Sequence, residues 1–442
     1  MKILFVHQNC PGQFKHLAVH MAALPGNEVV FITRPGKPEL PNVRKLEYTP
    51  ARKPAPSTHR YLRLAEEGIL NAQAVANVAV AARKTGFRPD VIVAHVGWGE
   101  ALYLKQVWPN TPVLGYFEWF YRPTGSDADF LKPLMLDDVC RIQTRNSLHL
   151  MNLEMADAGI TPTRWQWQQH PEAYRNKITV LHDGIDTDLV KPDPGATGSL
   201  KRGLHLKAGD EVITYVARNL EPYRGFPTFM RAAALIQQRH PNAQILVVGG
   251  DGVSYGSKLE SGTYREQMLA ELGSALDLNR IHFLGKVSYA RYLRLLQISA
   301  AHLYLSVPFV LSWSMQEAMS AGCLVIGSRT APVEEVIQHG QNGLLADFFS
   351  PEDIADQVDR VLAAPDRMAG LRQAARQTVL DRYALKRCLP KQIHLISELA
   401  ASKRRIVQSG KTLAFPNPAW VPQSVKPQSV TSLAHALAKQ RF

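Results

Sequence analysis

Short runs of β-branched residues alternate with amphipathic segments along most of this chain. In the first half, the runs cover residues 3–6, 28–33, 91–94, 112–117 and 178–181. The pattern starts again in the second half, with runs at 212–217, 244–248, 282–284, 302–305 and 324–327 and helical periodicity at 227–240, 264–276, 289–299 and 332–339. This alternation is typical of parallel sheets covered by helices on both faces. It predicts an α/β protein with two Rossmann-like domains in succession.

The length of the chain also favours two domains. It has 442 residues, whereas one hydrophobic core stops growing at about 250–300 residues. Residues 191–199 form a loop-like mixture with no apolar period. We therefore predict a first domain at residues 1–187, a second at 188–383, and a C-terminal helix with a basic, Pro-containing tail at 384–442 that packs back on the first domain. Ligands of open parallel sheets bind beyond the carboxyl ends of the strands, so a cleft between the two facing sheets is the predicted site.

Positive charge is in excess. Lysine and arginine number 51 against 38 acidic residues, which gives a net charge of +13. That balance suits phosphorylated small molecules, an anionic membrane face or nucleic acid. Two stretches carry much of it, residues 34–63 and the segment after Lys403, although solvated surfaces explain them equally well. Neither has the interleaved aromatic residues of a nucleic-acid groove, so no nucleic-acid partner is predicted.

The cysteine pattern and the apolar runs bear on the compartment. Four scattered cysteines form neither a disulfide framework nor a metal-ligand spacing. No apolar run approaches the ~18–20 residues that cross a bilayer, and the opening residues 1–6 are too short for a signal-peptide core. These features predict a cytoplasmic protein.

The segment 216–225, Val-Ala-Arg-Asn-Leu-Glu-Pro-Tyr-Arg-Gly, carries two arginines between a predicted strand and a predicted helix. Guanidinium groups offer forked donors that match phosphate oxygens, and a helix N-terminus adds to the attraction. Arg218 and Arg224 are therefore candidates to hold a diphosphate, and two surface arginines in a turn are the alternative.

Two further segments follow predicted strands in the second half. Gly249 and Gly250 would let a ligand approach the backbone closely, although the dehydrogenase fingerprint G-x-G-x-x-G is absent. In the segment 306–323, Ser314 to Glu317 has the S-x-x-E form of a capping box. Glu317 would then either close the first turn of a helix or accept a pair of sugar hydroxyls.

Taken together with residues 178–186 and 340–345, these segments make the chain resemble glycosyltransferase family 4, the large GT-B group of retaining nucleotide-sugar transferases. The resemblance covers residues 1 to about 383 and rests on the order and spacing of the motifs. It implies the GT-B fold, a UDP-, GDP- or dTDP-linked sugar as donor, and neither a cofactor nor a bound metal.

The resemblance also implies roles for the donor-side residues. Arg218 and Arg224 match the basic pair that grips the donor diphosphate, where lysine is usual at the second place. Glu317 matches the ligand of the donor ribose, Ser314 lies beside the sugar phosphate, and the backbone at Lys286 and Val287 faces the base.

Phe309 departs from the family pattern. The family has a glutamate eight residues before the position of Glu317, and that glutamate contacts the transferred sugar. A phenylalanine ring accepts no such hydrogen bond. Three explanations stay open: a donor sugar with a less polar edge, such as a deoxysugar; replacement by the backbone of Val310, Leu311 and Ser312; or a degenerate, non-catalytic relative.

Acceptor-side candidates follow predicted strands of the first domain. His95 ends one strand at a position where the family often has an active-site histidine, and the loop with Gly12 and Gln13 follows another. The aromatic run 115–123 supplies Glu118 and Arg122, which we expect to line the acceptor side. The strings Asp127-Ala128-Asp129 and Asp186-Thr187-Asp188 are not placed as metal ligands should be, so no metal is predicted.

These features predict a retaining glycosyltransferase of cell-surface glycan, glycolipid or glycoprotein biosynthesis. Its acceptor would be a glycan, a lipid-linked molecule or a protein, and the basic stretches suit a peripheral place on the cytoplasmic face of an anionic membrane. No second carboxylate is evident as a covalent nucleophile, so attack from the leaving-group face is expected. A nucleotide-sugar epimerase and a non-catalytic nucleotide-sugar or polyanion binder are the alternatives.

Overall fold

The computed structural model of the protein describes residues 1–199 and 203–408, with side chains to Ser402. Residues 409–442, which include the prolines of the predicted basic tail, lie outside the described residues. Within the described part, no helix combines the length and the apolar character that crossing a membrane requires.

Fifteen strands and sixteen α-helices occur in the described residues. The strands are β1 (Lys2–Val6), β2 (Glu28–Thr33), β3 (Val43–Glu47), β4 (Val91–His95), β5 (Val113–Tyr116), β6 (Ala158–Thr161), β7 (Ile178–Val180), β8 (Thr197–Ser199), β9 (His205–Lys207), β10 (Val212–Asn219), β11 (Gln244–Gly250), β12 (Ile281–Gly285), β13 (Ala301–Tyr304), β14 (Leu324–Ser328) and β15 (Leu344–Ala346). The helices are α1 (Lys15–Ala23), α2 (Arg63–Lys84), α3 (Leu104–Val107), α4 (Asp127–Phe130), α5 (Leu136–Arg145), α6 (Ser147–Met155), α7 (Arg164–Gln169), α8 (Glu172–Arg175), α9 (Phe226–Arg239), α10 (Tyr264–Leu272), α11 (Tyr289–Gln297), α12 (Trp313–Ser320), α13 (Ala331–Glu334), α14 (Pro351–Ala363), α15 (Ala369–Arg382) and α16 (Leu385–Gln408).

Two parallel sheets form the framework, which confirms the predicted α/β class with two domains. The first sheet has seven strands in the order β3-β2-β1-β4-β5-β6-β7, and the second has six in the order β12-β11-β10-β13-β14-β15. Strands β8 and β9 form a separate antiparallel pair.

The core of the first sheet shows why its strands are almost continuously apolar. Along β1, Ile3 and Phe5 pack on one face with α1 and with Ile396 of α16. The alternate residues Leu4 and Val6 pack on the other face with α2. A strand that is covered on both faces needs apolar side chains at every position, because successive side chains point to opposite sides.

The chain divides into two compact units. Unit 1 contains residues 1–123 and 134–183 and the described residues from Leu389 onward, and unit 2 contains Gly184–Cys388 together with residues 124–133. We call residues 124–133 the strap. Phe130 of the strap stacks on Phe349 with 5.1 Å between ring centroids. The sequence-based boundaries at 187/188 and 383/384 did not anticipate this strap within unit 2.

The boundary at Gly184 has a local cause. Gly184 has a φ of +96°, which L side chains adopt only with strain. The next residue then forms a bridge with the start of α16, since Ile185 N–H donates to the Tyr383 carbonyl and Leu385 N–H to the Ile185 carbonyl, each at 2.7 Å. The second unit is therefore closed by its own first and last segments.

Some elements differ from the sequence-based expectation. Strands β3, β6 and β15 were not predicted, and β8 lies in the predicted loop 191–199. The helix predicted at 332–339 is the single turn Ala331–Glu334.

Candidate functional site

The carboxyl ends of the unit 2 strands bring most donor-side candidates to one edge. Strands β10 to β14 run parallel, so the segments that follow β10, β11, β12 and β13 leave the sheet on the same side. The strand ends and the segments that follow them carry the donor-side candidates, which are Arg218, Arg224, the glycine pair, Lys286 with Val287, and residues 309–317. The parallel topology therefore assembles residues that are distant in sequence.

Arg224 is buried and held by hydrogen bonds. It ends a short 3₁₀ helix (Pro222–Arg224), and Gly225 with a φ of +64° turns the chain into α9. Its Nη1 donates to Ser306 Oγ at 2.6 Å and its Nη2 to the Val310 carbonyl at 3.1 Å. The side chain is only 8% exposed, and no carboxylate of the described residues forms an ion pair with it. Burial opposes its charge, but the nearby hydroxyls of Tyr304 and Tyr255 outweigh burial and raise the pKa of Arg224. A buried cation held only by neutral acceptors attracts an anion.

Arg218 and Lys286 add exposed positive charge at the same edge. Arg218 lies near the end of β10, and Lys286 follows β12 after Gly285. A Cβ at Gly250 would come within 3.0 Å of Lys286 Cε, so the lysine side chain lies across this glycine.

The two glycines that end β11, Gly249 and Gly250, have different neighbours. A Cβ at Gly249 would lie 2.8 Å from Leu220 Cδ2 and 2.9 Å from the Ala217 carbonyl oxygen. The chain itself therefore fills the space on the Cβ side of Gly249. The backbone of Gly250 faces Asn219 and Lys286 instead.

Phe309 belongs to an aromatic cluster with Tyr223 and Tyr255. Its ring meets that of Tyr255 at 5.2 Å between centroids and that of Tyr223 at 5.9 Å, both edge to face. Tyr255 also covers the Arg224 guanidinium, with 5.4 Å from Cζ to the ring centroid. Phe309 thus presents an apolar ring next to the guanidinium.

The backbone after Phe309 is already used in part. The Val310 carbonyl accepts from Arg224, and Ser312 N–H donates to Tyr304 Oη at 2.8 Å. The side chain of Leu311 packs on the core, as does that of Val287. The Ser312 amide is therefore engaged within the protein.

Glu317 does not close a capping box. Helix α12 begins at Trp313, and its N-cap is Ser312, whose Oγ accepts from Ser314 N–H at 3.3 Å. The two oxygens of Glu317 accept from Tyr289 Oη at 2.7 Å and from Tyr292 Oη at 2.8 Å. Both carboxylate oxygens therefore accept hydroxyl groups of the protein itself.

Sequence analysis assigned no role to Glu221. This residue is completely buried, and its carboxylate accepts from the N–H groups of Ser254, Tyr255 and Gly256 at 2.9–3.1 Å. Its partners are backbone amides of a loop more than thirty residues away, and no side-chain pattern reveals such partners.

In unit 1, the ends of β1, β4 and β5 form a second polar group. His7, which sequence analysis missed, follows β1, and its Nδ1 accepts from Asn9 N–H at 2.8 Å. Its Nε2 lies 2.7 Å from Gln13 Oε1 and must therefore carry the proton. Burial and the neighbouring His95 lower the pKa of His7 to about 3. His7 is a neutral donor at physiological pH.

A continuous set of contacts leads from Gln13 to His95. Gln13 Nε2 donates to Glu118 Oε1 at 2.9 Å, and Glu118 Oε2 lies 3.5 Å from His95 Nε2. His95 Nδ1 accepts from Gly97 N–H at 3.2 Å, and its ring stacks on Trp98 at 4.3 Å. Burial alone would raise the pKa of Glu118, but His95, His7 and Gln13 outweigh burial and lower it. Three predicted residues, His95, Gln13 and Glu118, are therefore brought together.

The candidates Gly12 and Arg122 both contact other residues of unit 1. A Cβ at Gly12 would lie 2.5 Å from His7 Nε2, so the space beside this glycine holds the imidazole of His7 rather than a ligand. Arg122 Nε donates to the Gln169 carbonyl at 2.7 Å, and its guanidinium lies over Phe120.

The two acidic strings serve turns and helix ends. Asp129 accepts from Gly125 N–H in the capping of α4, and Asp127 Oδ2 accepts from Tyr223 Oη at 2.8 Å. Asp186 Oδ1 accepts from the N–H groups of Asp188 and Leu189. In the described ranges, no three His, Cys, Asp or Glu side chains lie close enough to hold a metal ion.

Family models match both halves of the chain. Residues 25–190 match the model described as "Glycosyl transferase family 4 group", and residues 199–378 match that of "Glycosyl transferases group 1". Among solved structures, the chain is similar to Anabaena HepE in complex with UDP and glucose, with 16% identity, a TM-score of 0.66 and 90% of this chain and 100% of that chain covered. It is also similar to sucrose-phosphate synthase from Thermosynechococcus elongatus, with 19% identity, a TM-score of 0.68 and coverage of 91% and 100%. The chain therefore carries the two domains of a family 4-type glycosyltransferase with the GT-B fold.

The matches to curated relatives cover a smaller share of each chain than the matches to solved structures. D-inositol 3-phosphate glycosyltransferase of Rhodococcus jostii is 30% identical over 48% of this chain and 46% of its own length. A GDP-mannose-dependent alpha-(1-6)-phosphatidylinositol monomannoside mannosyltransferase of Mycobacterium tuberculosis is 26% identical over 47% of this chain and 52% of its own length. The match thus spans about half the length of these relatives.

Proposed function

We propose that this protein is a retaining glycosyltransferase that moves a sugar from a nucleoside-diphosphate donor to an acceptor in cell-surface glycan, glycolipid or glycoprotein biosynthesis. One observation carries the proposal: Arg224 is a buried guanidinium with neutral partners at the carboxyl edge of a parallel sheet. Such a group is suited to an anion that arrives with a ligand. Similarity to HepE, whose structure is a complex with UDP and glucose, and to a GDP-mannose-dependent mannosyltransferase supports a nucleotide-sugar donor.

The proposed chemistry follows from charge. Cleavage of the bond between sugar and diphosphate develops negative charge on the leaving oxygen. Arg224 and Arg218 would stabilise that charge, with Lys286 and Val287 beside the nucleoside, Ser314 beside the phosphate, and Glu317 accepting the ribose hydroxyls. We propose that these groups act without a bound metal, so that EDTA leaves the rate unchanged. The acceptor would attack from the face that the diphosphate leaves.

In unit 1, we propose that His95 and Glu118 serve the acceptor side. Glu118 is half-buried and ionised, and it lies against the Nε2 edge of His95. This pair can orient an acceptor hydroxyl, with Gln13 and His7 fixing the carboxylate. Arg122 stays a proposed acceptor-side residue through its exposed part. A glycan, a lipid-linked molecule or a protein would be the acceptor.

A panel of nucleotides tests the proposal. UDP, GDP or dTDP is expected to raise the melting temperature of the protein, because a ligand of the folded state stabilises it by mass action. Arg224→Ala is then expected to lose about 10²–10³-fold in transfer rate, the typical cost of removing one preorganised donor to a developing oxyanion. Arg231→Ala is the matched control, since Arg231 is an exposed residue of α9 paired with Glu271. Full turnover by Arg224→Ala would contradict the proposal.

We also propose a peripheral place on the cytoplasmic face of an anionic membrane. The exposed apolar side chains of unit 1 include two pairs that are close in sequence, Leu62 at 48% with Leu64 at 52%, and Met135 at 73% with Leu136 at 78%. Arg60 and Tyr61 both bond to Asp137, which joins the two segments, and Arg52, Lys53 and Arg63 are exposed nearby. Apolar side chains beside basic ones suit anionic lipid. The protein is expected to sediment with phosphatidylserine vesicles but not with phosphatidylcholine vesicles. Sedimentation with neither kind of vesicle, or equally with both, would overturn the proposed membrane attachment.

A further inference from the structure

Glu221 holds the middle of the loop that follows β11. Both carboxylate oxygens are used, with Oε1 accepting from Ser254 N–H at 3.0 Å and Oε2 accepting from Tyr255 N–H at 3.1 Å and Gly256 N–H at 2.9 Å. The residue is 0% exposed, and in the part of the chain that the structure describes no basic side chain pairs with it. Backbone N–H groups therefore stabilise a fully buried carboxylate.

The two ends of the same loop are fixed by α10. Arg265 forms an ion pair with Asp251 at 2.9 Å, and Tyr264 Oη donates to the Ser257 carbonyl at 2.8 Å. Without Glu221, the stretch between these anchors would lose three backbone hydrogen bonds, while Ser254 Oγ would still accept from Asn219 Nδ2. One carboxylate thus fixes three successive backbone N–H groups of this loop, residues 254–256.

This loop presents Tyr255 to the candidate diphosphate site. The Tyr255 ring is 38% exposed, lies 5.4 Å from Arg224 Cζ and meets Phe309 at 5.2 Å. Because the Tyr255 ring covers only one face of the guanidinium, an anion can still approach the edge of the guanidinium. The ring also excludes water from that face, which strengthens the electrostatic attraction at the edge.

We propose that Glu221 is a positioning residue that holds Tyr255 over Arg224, and that Tyr255 is a wall of the donor site. This inference rests on the proposed function, because it requires that Arg224 binds the donor diphosphate. Glu221 itself would touch no substrate, and its effect would pass through the three amides to the Tyr255 ring.

The test uses Glu221→Gln, which keeps the size and the backbone bonds of residue 221. A glutamine amide group must face an N–H group here, so at least one of the three bonds is lost. We expect about a tenfold weaker affinity for the nucleoside diphosphate that binds the wild-type protein best, measured by calorimetry. We also expect faster tryptic cleavage after Lys258, an exposed residue of the same loop, at a temperature where both proteins are fully folded. Glu271→Gln, at an exposed ion pair on α10, is the matched control.

A double-mutant cycle separates this role from a general structural one. Tyr255→Ala is expected to weaken nucleotide affinity by a similar factor, and the double variant should be no more than about twofold weaker than either single variant. Additive losses, or wild-type affinity in either variant, would overturn the inference. If Glu221→Gln fails to fold, wild-type affinity in Tyr255→Ala alone still overturns it. Failure of the wild-type protein to bind any of the nucleotides would instead contradict the proposed function itself.

Discussion

At the residue scale, two histidine rings explain why positions 12 and 97 of unit 1 are glycines. A Cβ at Gly12 would lie 2.5 Å from His7 Nε2, and one at Gly97 would lie 2.9 Å from His95 Cε1. A glycine after a strand predicts close approach of some group, but sequence does not say which group approaches. Here it is the side chain of the neighbouring histidine, so these glycines set the positions of His7 and His95.

Gly12→Ala is expected to destabilise the protein by about 2–3 kcal/mol and to displace His7. The φ of +50° strains any L residue, and the new methyl group collides with the imidazole. Gly26→Ala is the control, since Gly26 has a φ of +80° with nothing within 4 Å of its Cβ, and about 1 kcal/mol is expected there. Thermal unfolding of both variants measures the difference. Equal losses would show that His7 does not fill the space beside Gly12.

Phe309→Glu tests why the family glutamate is missing. A carboxylate among Tyr223, Tyr255 and Arg224 could accept hydroxyls of the sugar, whereas the phenylalanine ring favours an apolar edge. We expect the ratio of kcat/KM between a fully hydroxylated donor and its deoxy analogue to rise at least about tenfold, because a polar site discriminates against a missing hydroxyl. Phe309→Leu is the control. An unchanged preference would contradict the idea that this position selects the sugar.

Much of the candidate site follows from sequence because polar residues at strand ends meet at one sheet edge. His95, Gln13 and Glu118 could be grouped for this reason, and so could Arg224 and Glu317. Glu221 could not, since its partners are backbone amides, and backbone amides have no sequence signature. His7 was missed because a lone histidine after a strand has no pattern of its own.

At the element scale, strands were predictable where they are buried on both faces. Strand β1 is buried at four of five positions and matched its prediction, whereas β3, at the edge of the sheet, buries only two of five. Strand β6 contains a glycine and β15 has three residues, too few for a periodic signal. The start of α12 was misplaced because the S-x-x-E pattern begins at Ser314, the second residue of a helix that Ser312 caps.

Ser312→Ala and Ser314→Ala distinguish the two possible caps of α12. Ser312 Oγ accepts from Ser314 N–H, so its loss is expected to cost about 1 kcal/mol of stability. Ser314 only donates its hydroxyl to Ser312 Oγ, and its loss is expected to cost about 0.5 kcal/mol. Chemical unfolding of the transition that includes unit 2 measures both. A larger loss for Ser314→Ala would restore the capping-box interpretation.

At the scale of the whole molecule, periodicity predicted two sheets but not which unit each segment joins. In sequence, the strap lies between two segments of unit 1. Its contacts are with unit 2: Asp127 accepts from Tyr223, and the Phe130 ring contacts Phe348 and Phe349. These contacts join residues about 100 and 220 positions apart. Local patterns report local conformation, so such long-range pairings need the folded structure.

Acid is expected to destabilise unit 1 more than unit 2. Burial lowers the pKa of His7, His149 and His302 to about 3 and that of His170 and His182 to about 4. Below pH 6.5 the unfolded chain binds protons that these folded groups refuse. Each group therefore costs about 1.4 kcal/mol of stability per pH unit, until the pH reaches its folded pKa. Four of the five lie in unit 1 and only His302 lies in unit 2, while Glu100 of unit 1, whose pKa burial raises, acts in the opposite direction. Between pH 7.5 and about 4.5, calorimetry should show the melting temperature of the unit 1 transition falling faster than that of unit 2. His149→Gln should reduce the fall for unit 1 and leave the unit 2 transition unchanged. Parallel shifts of both transitions would contradict this assignment.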